Sequence, residues 1–278
     1  MTPRRVSVAA LSGVGIGATA VAVVSLGLMS LGARALLRRQ AAVARRRIGK
    51  PLGELAPDAD RVWRRAYDGE PVELLMVGDS IAAGLGASRR KDTLGARIAK
   101  GLARHTHRPV RLRTAAVVGA ESSMLSAQLD ALPDEYRPDV AVVVVGGNDI
   151  THRVPVATST AHLERAIVRL RGLGAVVVVG TCPDLGALRP VPQPLRSLGA
   201  RQSRQLAAAQ AAVAETAGAR AVSLRRAVGP TFISQPDEMF SLDRFHPSAL
   251  GYRRTAEALI PSVAAALDAS VTRRFSRT

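Results

Sequence analysis

Two short valine-rich runs, "VAVVVV" at residues 140–145 and "AVVVV" at 175–179, limit what this 278-residue chain can become. A strand with one face in water alternates apolar and polar side chains, whereas an almost unbroken valine run needs apolar cover on both faces. That is the situation of a central strand in a parallel sheet. Three further segments, VELLMV at 72–77, VRLRTAAVV at 110–118 and RAVSL at 220–224, complete five expected strands. Helical patterns fall between and after them, near 92–104, 121–131, 158–171, 197–217 and 248–268. Ser197 and Gly218 supply a start and a stop for the fourth. This alternation predicts an α/β domain of three layers, helices on both faces of a central, mainly parallel five-stranded sheet joined by right-handed crossovers. Aromatic residues make up only 3% of the chain, so the core has to come from Val, Leu, Ile and Ala.

Sheets of this kind bind ligands at the carboxyl ends of their strands, so the loops after the strands are where chemistry is expected. The first strand runs into "GDSIAAGLGAS" at 78–88. A phosphate loop would need lysine where Leu85 stands, a Gly-x-Gly-x-x-Gly fingerprint cannot be placed, and the Gly-x-Ser-x-Gly elbow of an ordinary α/β-hydrolase is absent. Ser80 nevertheless stands just beyond a buried strand and ahead of a glycine-rich loop. The third strand ends in Gly146-Gly147-Asn148-Asp149, where an uncharged amide can donate hydrogen bonds, although the same residues also make plain turns. Near the C-terminus, "SLDRFHPSALGY" sets Asp243 three residues before His246, close enough for a carboxylate to orient an imidazole. Taken alone, that histidine reads more readily as a neighbour of a helix start at Pro247-Ser248 than as a reacting group.

Together these blocks resemble the SGNH or GDSL hydrolase family: Gly78-Asp79-Ser80-Ile81, a glycine at Gly119 in "AAVVGAESS", Gly146-Gly147-Asn148-Asp149, and Asp243-Arg244-Phe245-His246-Pro247. The resemblance spans about residues 70–268, with Ile81 in place of the usual leucine. It implies a flavodoxin-like sheet and serine-dependent cleavage of acyl esters, with no metal or organic cofactor. Carried over residue by residue, it implies Ser80 as nucleophile, His246 as general base and acid, and Asp243 as the residue that orients it. The amides of Ser80 and Gly119 and the side chain of Asn148 would form the oxyanion hole. Gly146 would provide clearance, while Asp79 and Asp149 brace their loops. Among the other histidines, His105 and His107 lie in a basic connector, His162 falls on an exposed helix face, and His152 is a candidate for the pocket wall. Substrates would be small acyl esters, lipid or acylated carbohydrate. An acyltransferase or deacetylase, or a binding module with a degenerate pocket, is the alternative. The proline-rich segment "TCPDLGALRPVPQPLR" at 181–196 is expected to overhang the site as a rim.

The two ends of the chain carry a different signal. Val6–Leu31 holds no charged residue, and at 26 residues it exceeds the roughly 20 needed to span a bilayer. It is also longer than the h-region of a secretory signal peptide, the competing reading. Residues 1–50 hold nine basic residues and no acid; the remainder carries 30 basic against 22 acidic, so the formal charge of +17 is concentrated near the N-terminus. Seven of the nine follow the apolar run, which for a spanning helix places the main domain in the cytoplasm; a cleaved signal would place it outside. With no finger spacing and few aromatics for base stacking, nucleic acid is not an expected partner. The single cysteine, Cys182, allows neither an intrachain disulfide nor a thiolate cluster for zinc. The expected organisation is a membrane or signal segment and basic juxtamembrane helix at 1–50, a linker at 51–70, the hydrolase domain at 71–268 and a basic tail at 269–278.

Overall fold

The computed structural model describes residues 32–275, and the apolar run Val6–Leu31 lies outside them. No helix among the described residues is long and apolar enough to cross a membrane. The described chain opens with helix α1 (32–48), then strand β1 (Arg61–Trp63) and strand β2 (Val72–Gly78). Helices α2 (Ser80–Ala83) and α3 (Leu94–Thr106) lead to β3 (Val110–Thr114), and α4 (Leu125–Asp130) leads to β4 (Val140–Val144). Helices α5 (Gly147–His152) and α6 (Val156–Gly172) precede β5 (Val176–Gly180), and α7 (Leu195–Thr216) precedes β6 (Arg220–Val222). Three short helices, α8 (Leu224–Ala227), α9 (Gly229–Ser234) and α10 (Pro236–Met239), end at the long α11 (Ala249–Phe275).

All five expected strands form, and they pair in parallel in the order β3-β2-β4-β5-β6. The valine runs behave as their composition requires, because every residue of β4 is buried and its alternate side chains enter two separate cores. Val140, Val142 and Val144 join Leu74 and Met76 beneath α3 and α11, while Ala141 and Val143 join Leu75 and Val77 beneath α4, α6 and α7. These are the two helical layers.

The sheet has six strands, one more than expected. Arg61–Trp63, inside the segment read as linker, adds to the β3 edge in antiparallel register, with Arg61 opposite Leu112 and Trp63 opposite Val110. Three residues are too few to show a period of two, and a half-buried edge strand needs no apolar run, so nothing in the sequence pattern announces it. At the other end α11 continues through Phe275 over residues assigned to a tail, with neither glycine nor proline after Pro261 to stop it.

Between β2 and β4 the strand order reverses, since β2 is followed by a crossover to β3 on one side and the chain then returns to β4 on the other. Such a switch point opens a crevice at the carboxyl ends of the two strands. Gly78 closes β2 there with φ +134, and a Cβ on it would stand 1.9 Å from the Val144 carbonyl oxygen. Replacing Gly78 with alanine should therefore force the two central strands apart. At about 3 kcal/mol of overpacking in a domain this size, thermal unfolding of the Gly78→Ala protein should begin at least about 6 °C lower.

Candidate active site

Ser80 is the first residue of α2, directly past the end of β2, and is almost fully buried. Asp79 caps that short helix, its Oδ1 accepting from the Ile81 amide at 2.9 Å, while the Asp79 amide donates to the Val144 carbonyl at 3.0 Å. The other end of the chain meets this loop. His246 Nε2 lies 2.9 Å from Ser80 Oγ, and His246 Nδ1 lies 2.5 Å from Asp243 Oδ2. Asp243 Oδ1 accepts from the amides of Phe245 and His246, each at 3.0 Å. The carboxylate thus ties down its own loop and one imidazole nitrogen, leaving the other nitrogen to face the serine hydroxyl. Tyr252, buried in α11, donates from its hydroxyl to the Leu85 carbonyl at 2.6 Å and holds the glycine-rich loop against the histidine loop.

Asn148 lies in the first turn of α5, where Nδ2 donates to the Ala120 carbonyl at 2.9 Å and fixes the amide plane. Ser80, Asn148 and His246 line one cavity, with Asp243 behind the imidazole. Gly119 precedes the Ala120 acceptor in the loop after β3; it is exposed, with φ +83, and is not among the residues that line the cavity. Gly146 gives clearance to the protein rather than to a ligand: at φ +133 it lets α7 approach, and a Cβ would meet Cys182, Gln210 and Leu206 at 3.1 Å each. Asp149 braces as expected, accepting from the Ser122 amide at 3.1 and 3.3 Å. His152 does not face the cavity; its Nδ1 pairs with Glu121 Oε1 at 2.6 Å on the surface. His105 pairs with Asp268 and His162 with Arg165, while His107 stacks at a tilt on Tyr67. Among the described residues no group of three or more His, Cys, Asp or Glu side chains could hold a metal ion.

Sequence reasoning missed two glutamines that hold the loops in place. Gln128 in α4 clasps the end of β2 with both ends of its amide, accepting from the Gly78 amide at 2.9 Å and donating to the Gly78 carbonyl at 2.8 Å. Gln210 in α7 does the same for the next two strands, accepting from the Cys182 amide at 2.7 Å and donating to the Val145 carbonyl at 2.9 Å. The available signal was a polar residue on the inner face of an amphipathic helix, beside Leu129 and near Leu206.

The cavity measures about 740 Å³, counting the part open to solvent, and its far wall is apolar: Leu185, Leu188, Val228, Phe232, Phe240 and Phe245. The segment at 181–196 forms its rim through Pro183–Leu188. Around it the pKa values of two carboxyl groups are shifted in opposite directions. For Asp243, burial opposes ionisation, but the bonds from the His246 side chain and from the His246 and Phe245 amides outweigh it and leave its pKa below the ordinary value. For Asp79, fully enclosed, burial dominates and raises the pKa to about 6, with the Ile81 and Gly147 amides and His246 opposing and Asp149 reinforcing the rise.

A serine, an imidazole and a carboxylate in a hydrogen-bonded chain at the switch point of a parallel sheet are an arrangement capable of hydrolytic chemistry. The comparisons agree with that class. Residues 76–254 match the GDSL-like Lipase/Acylhydrolase family, and the chain belongs to it. It is 42% identical over 264 residues to the GDSL-like esterase Rv1075c of Mycobacterium tuberculosis, covering 90% of this chain and 82% of the relative. The crystal structure of TesA superposes with a TM-score of 0.57 at 25% identity, covering 70% of this chain and 99% of TesA. A lipase/acylhydrolase from Enterococcus faecalis superposes at 0.56 and 20% identity, covering 70% and 96%. The chain is a carboxylic ester hydrolase.

Asp79 is a sensitive point of this site. Because its folded pKa, about 6, exceeds the value near 3.8 of an unperturbed side chain, the folded protein holds this proton more tightly than the unfolded chain. Stability should rise as pH falls from about 6.5 toward 4 on this account, and Asp79→Asn should remove that component. Urea titrations of both proteins at several pH values measure it.

Proposed function

We propose that Ser80 is the nucleophile of an ester-cleaving reaction that proceeds through an acyl-enzyme, with His246 moving the proton and Asp243 holding the imidazole. The observation that carries this reading is the hydrogen-bonded chain from Ser80 Oγ through His246 to Asp243, assembled from residues 166 positions apart. With Nδ1–H donated to the Asp243 carboxylate, Nε2 is left as the acceptor for the Ser80 hydroxyl proton. Attack of Oγ on the ester carbonyl carbon gives a tetrahedral oxyanion, and His246 takes up the proton. The imidazolium then returns that proton to the departing alcohol as the carbon–oxygen bond breaks, leaving the acyl group on Ser80. Water repeats the two steps and frees the acid.

The oxyanion would be met by the amides of Ser80 and Gly119, neither of which has an acceptor among the described residues, and by the second N–H of Asn148 Nδ2. Asn148 is already pinned by Ala120, so little reorganisation is needed when charge develops on the carbonyl oxygen. The ionised state of Asp243 supports the same roles, since a fixed negative charge stabilises the imidazolium that forms in the transition state.

The apolar wall beside Ser80 supports an acyl chain several carbons long as the preferred group in the cavity. Phe232, Phe240 and Phe245 offer it only hydrocarbon contact. We assign the chain to small acyl esters on this basis.

Assays with p-nitrophenyl esters test these assignments. Ser80→Ala should lose turnover by about 10⁴-fold or more while remaining folded, and unchanged turnover would remove Ser80 from the mechanism. Asn148→Ala should cost about 10²–10³ in kcat, read against an unaltered thermal transition. Hexanoyl and octanoyl esters should outperform the acetyl ester in kcat/KM. Phe232→Trp, which fills the far wall, should reverse that order; an unchanged chain-length profile would move the acyl group to another part of the cleft.

A further inference from the structure

Helix α1 is bonded to two segments that adjoin the cavity lining. Gln40, buried on its inner side, donates from Nε2 to the Gln193 carbonyl and accepts from the Leu195 amide at 2.9 Å. One turn on, Ala44 is also buried, and Arg47 reaches the Pro190 carbonyl at 3.4 Å. These acceptors belong to the segment whose earlier residues, Pro183–Leu188, line the cavity. From the histidine loop Arg244, standing between Asp243 and Phe245, reaches the Arg47 carbonyl at 3.4 Å. The helix therefore spans from the rim to the loop that carries Asp243 and His246.

Its outer side is of one charge. Arg34, Arg38, Arg39, Arg45 and Arg46 are exposed, and at about 100° per residue they fall on an arc of about 140° turned away from Gln40 and Ala44. None of the five has an ion-pair partner among the described residues, and the first acidic residue of the chain is Glu54. An exposed leucine, Leu242, lies two residues from Arg244 on the same loop, and Leu36 is exposed on α1 itself. A helix with an unpaired basic arc beside exposed leucines matches an interface between anionic headgroups and acyl chains. Nucleic acid fits less well, because α1 offers no aromatic side chain on which a base could stack.

We propose that the outer face of α1 is a seat for an anionic lipid surface, and that its bonds to the rim segment and to the Asp243–His246 loop turn this seat into a positioning device, presenting the cavity mouth to esters dissolved in the bilayer. The coupling rests on the Ser80 reading; the seat does not. Docking alone needs only the arginine arc, whereas coupling needs Gln40 as the tie to the rim.

The full chain, reconstituted in nanodiscs of phosphatidylcholine with or without about 30% phosphatidylglycerol, provides the test. A fluorophore placed through Arg46→Cys labels selectively because Cys182 is fully buried. Quenching by a headgroup-level spin label should appear with the anionic lipid and disappear near 0.5 M salt. In parallel, KM for a bilayer-dissolved umbelliferyl octanoate should fall about tenfold on the anionic discs, with kcat for water-soluble p-nitrophenyl acetate unchanged. Replacing Arg34, Arg38, Arg39 and Arg45 by glutamine should abolish both responses. Gln40→Ala should keep the quenching and lose the KM response. Equal quenching in the two lipids, or none, overturns the seat, as does tighter association with duplex DNA than with anionic discs. Quenching with no KM response in the unmodified chain overturns the coupling. If Ser80→Ala retains turnover while quenching persists, the catalytic reading fails and the seat stands.

Discussion

The site depends first on a missing side chain. At Gly78 the backbone of β2 comes so close to the Val144 carbonyl that no Cβ fits, and the Asp79 amide completes the contact by donating to that same oxygen. The two central strands therefore end together, and the loops carrying Ser80 and Asn148 leave the sheet side by side at its switch point. Gln128 and Gln210 bond to backbone groups where the ladders stop, the Gly78 carbonyl accepting from the Val117 amide as well. A buried amide or carbonyl left without a partner costs about 1–3 kcal/mol, so these clasps also select one arrangement of the strand ends.

Around this frame two neighbouring acids are driven in opposite directions by their surroundings. Asp243 receives donors on both oxygens and stays ionised, which suits a partner for imidazolium. Asp79 is enclosed near Asp149 and holds its proton to about pH 6, which suits a brace more than a charge. The difference arises from burial weighed against donated hydrogen bonds, since the side chains are chemically identical.

Much of this was legible in the residue order. The valine runs announced a buried parallel sheet because only burial on both faces tolerates such composition, and the blocks at 78–81, 146–149 and 243–247 pointed to Ser80, Asn148, Asp243 and His246 before any coordinates. Arg61–Trp63 escaped because an edge strand of three residues leaves no periodic trace. Gln128 and Gln210 escaped because a glutamine inside a helix looks the same whether it faces water or a strand end. His152 stayed a candidate because proximity to a site loop in sequence does not say which way a side chain turns.

What the sequence by itself determined is the layered class of the fold and the short blocks that hold the candidate site residues, since both rest on local composition and short-range spacing. Only the tertiary structure decided that Ser80 and His246 meet at hydrogen-bond distance, that Leu185 and Leu188 share one cavity lining with Phe232, Phe240 and Phe245, and that α1 ties the rim segment to the histidine loop. Each of those depends on contacts between residues far apart in the chain, and these are set by how the two helical layers pack on the sheet.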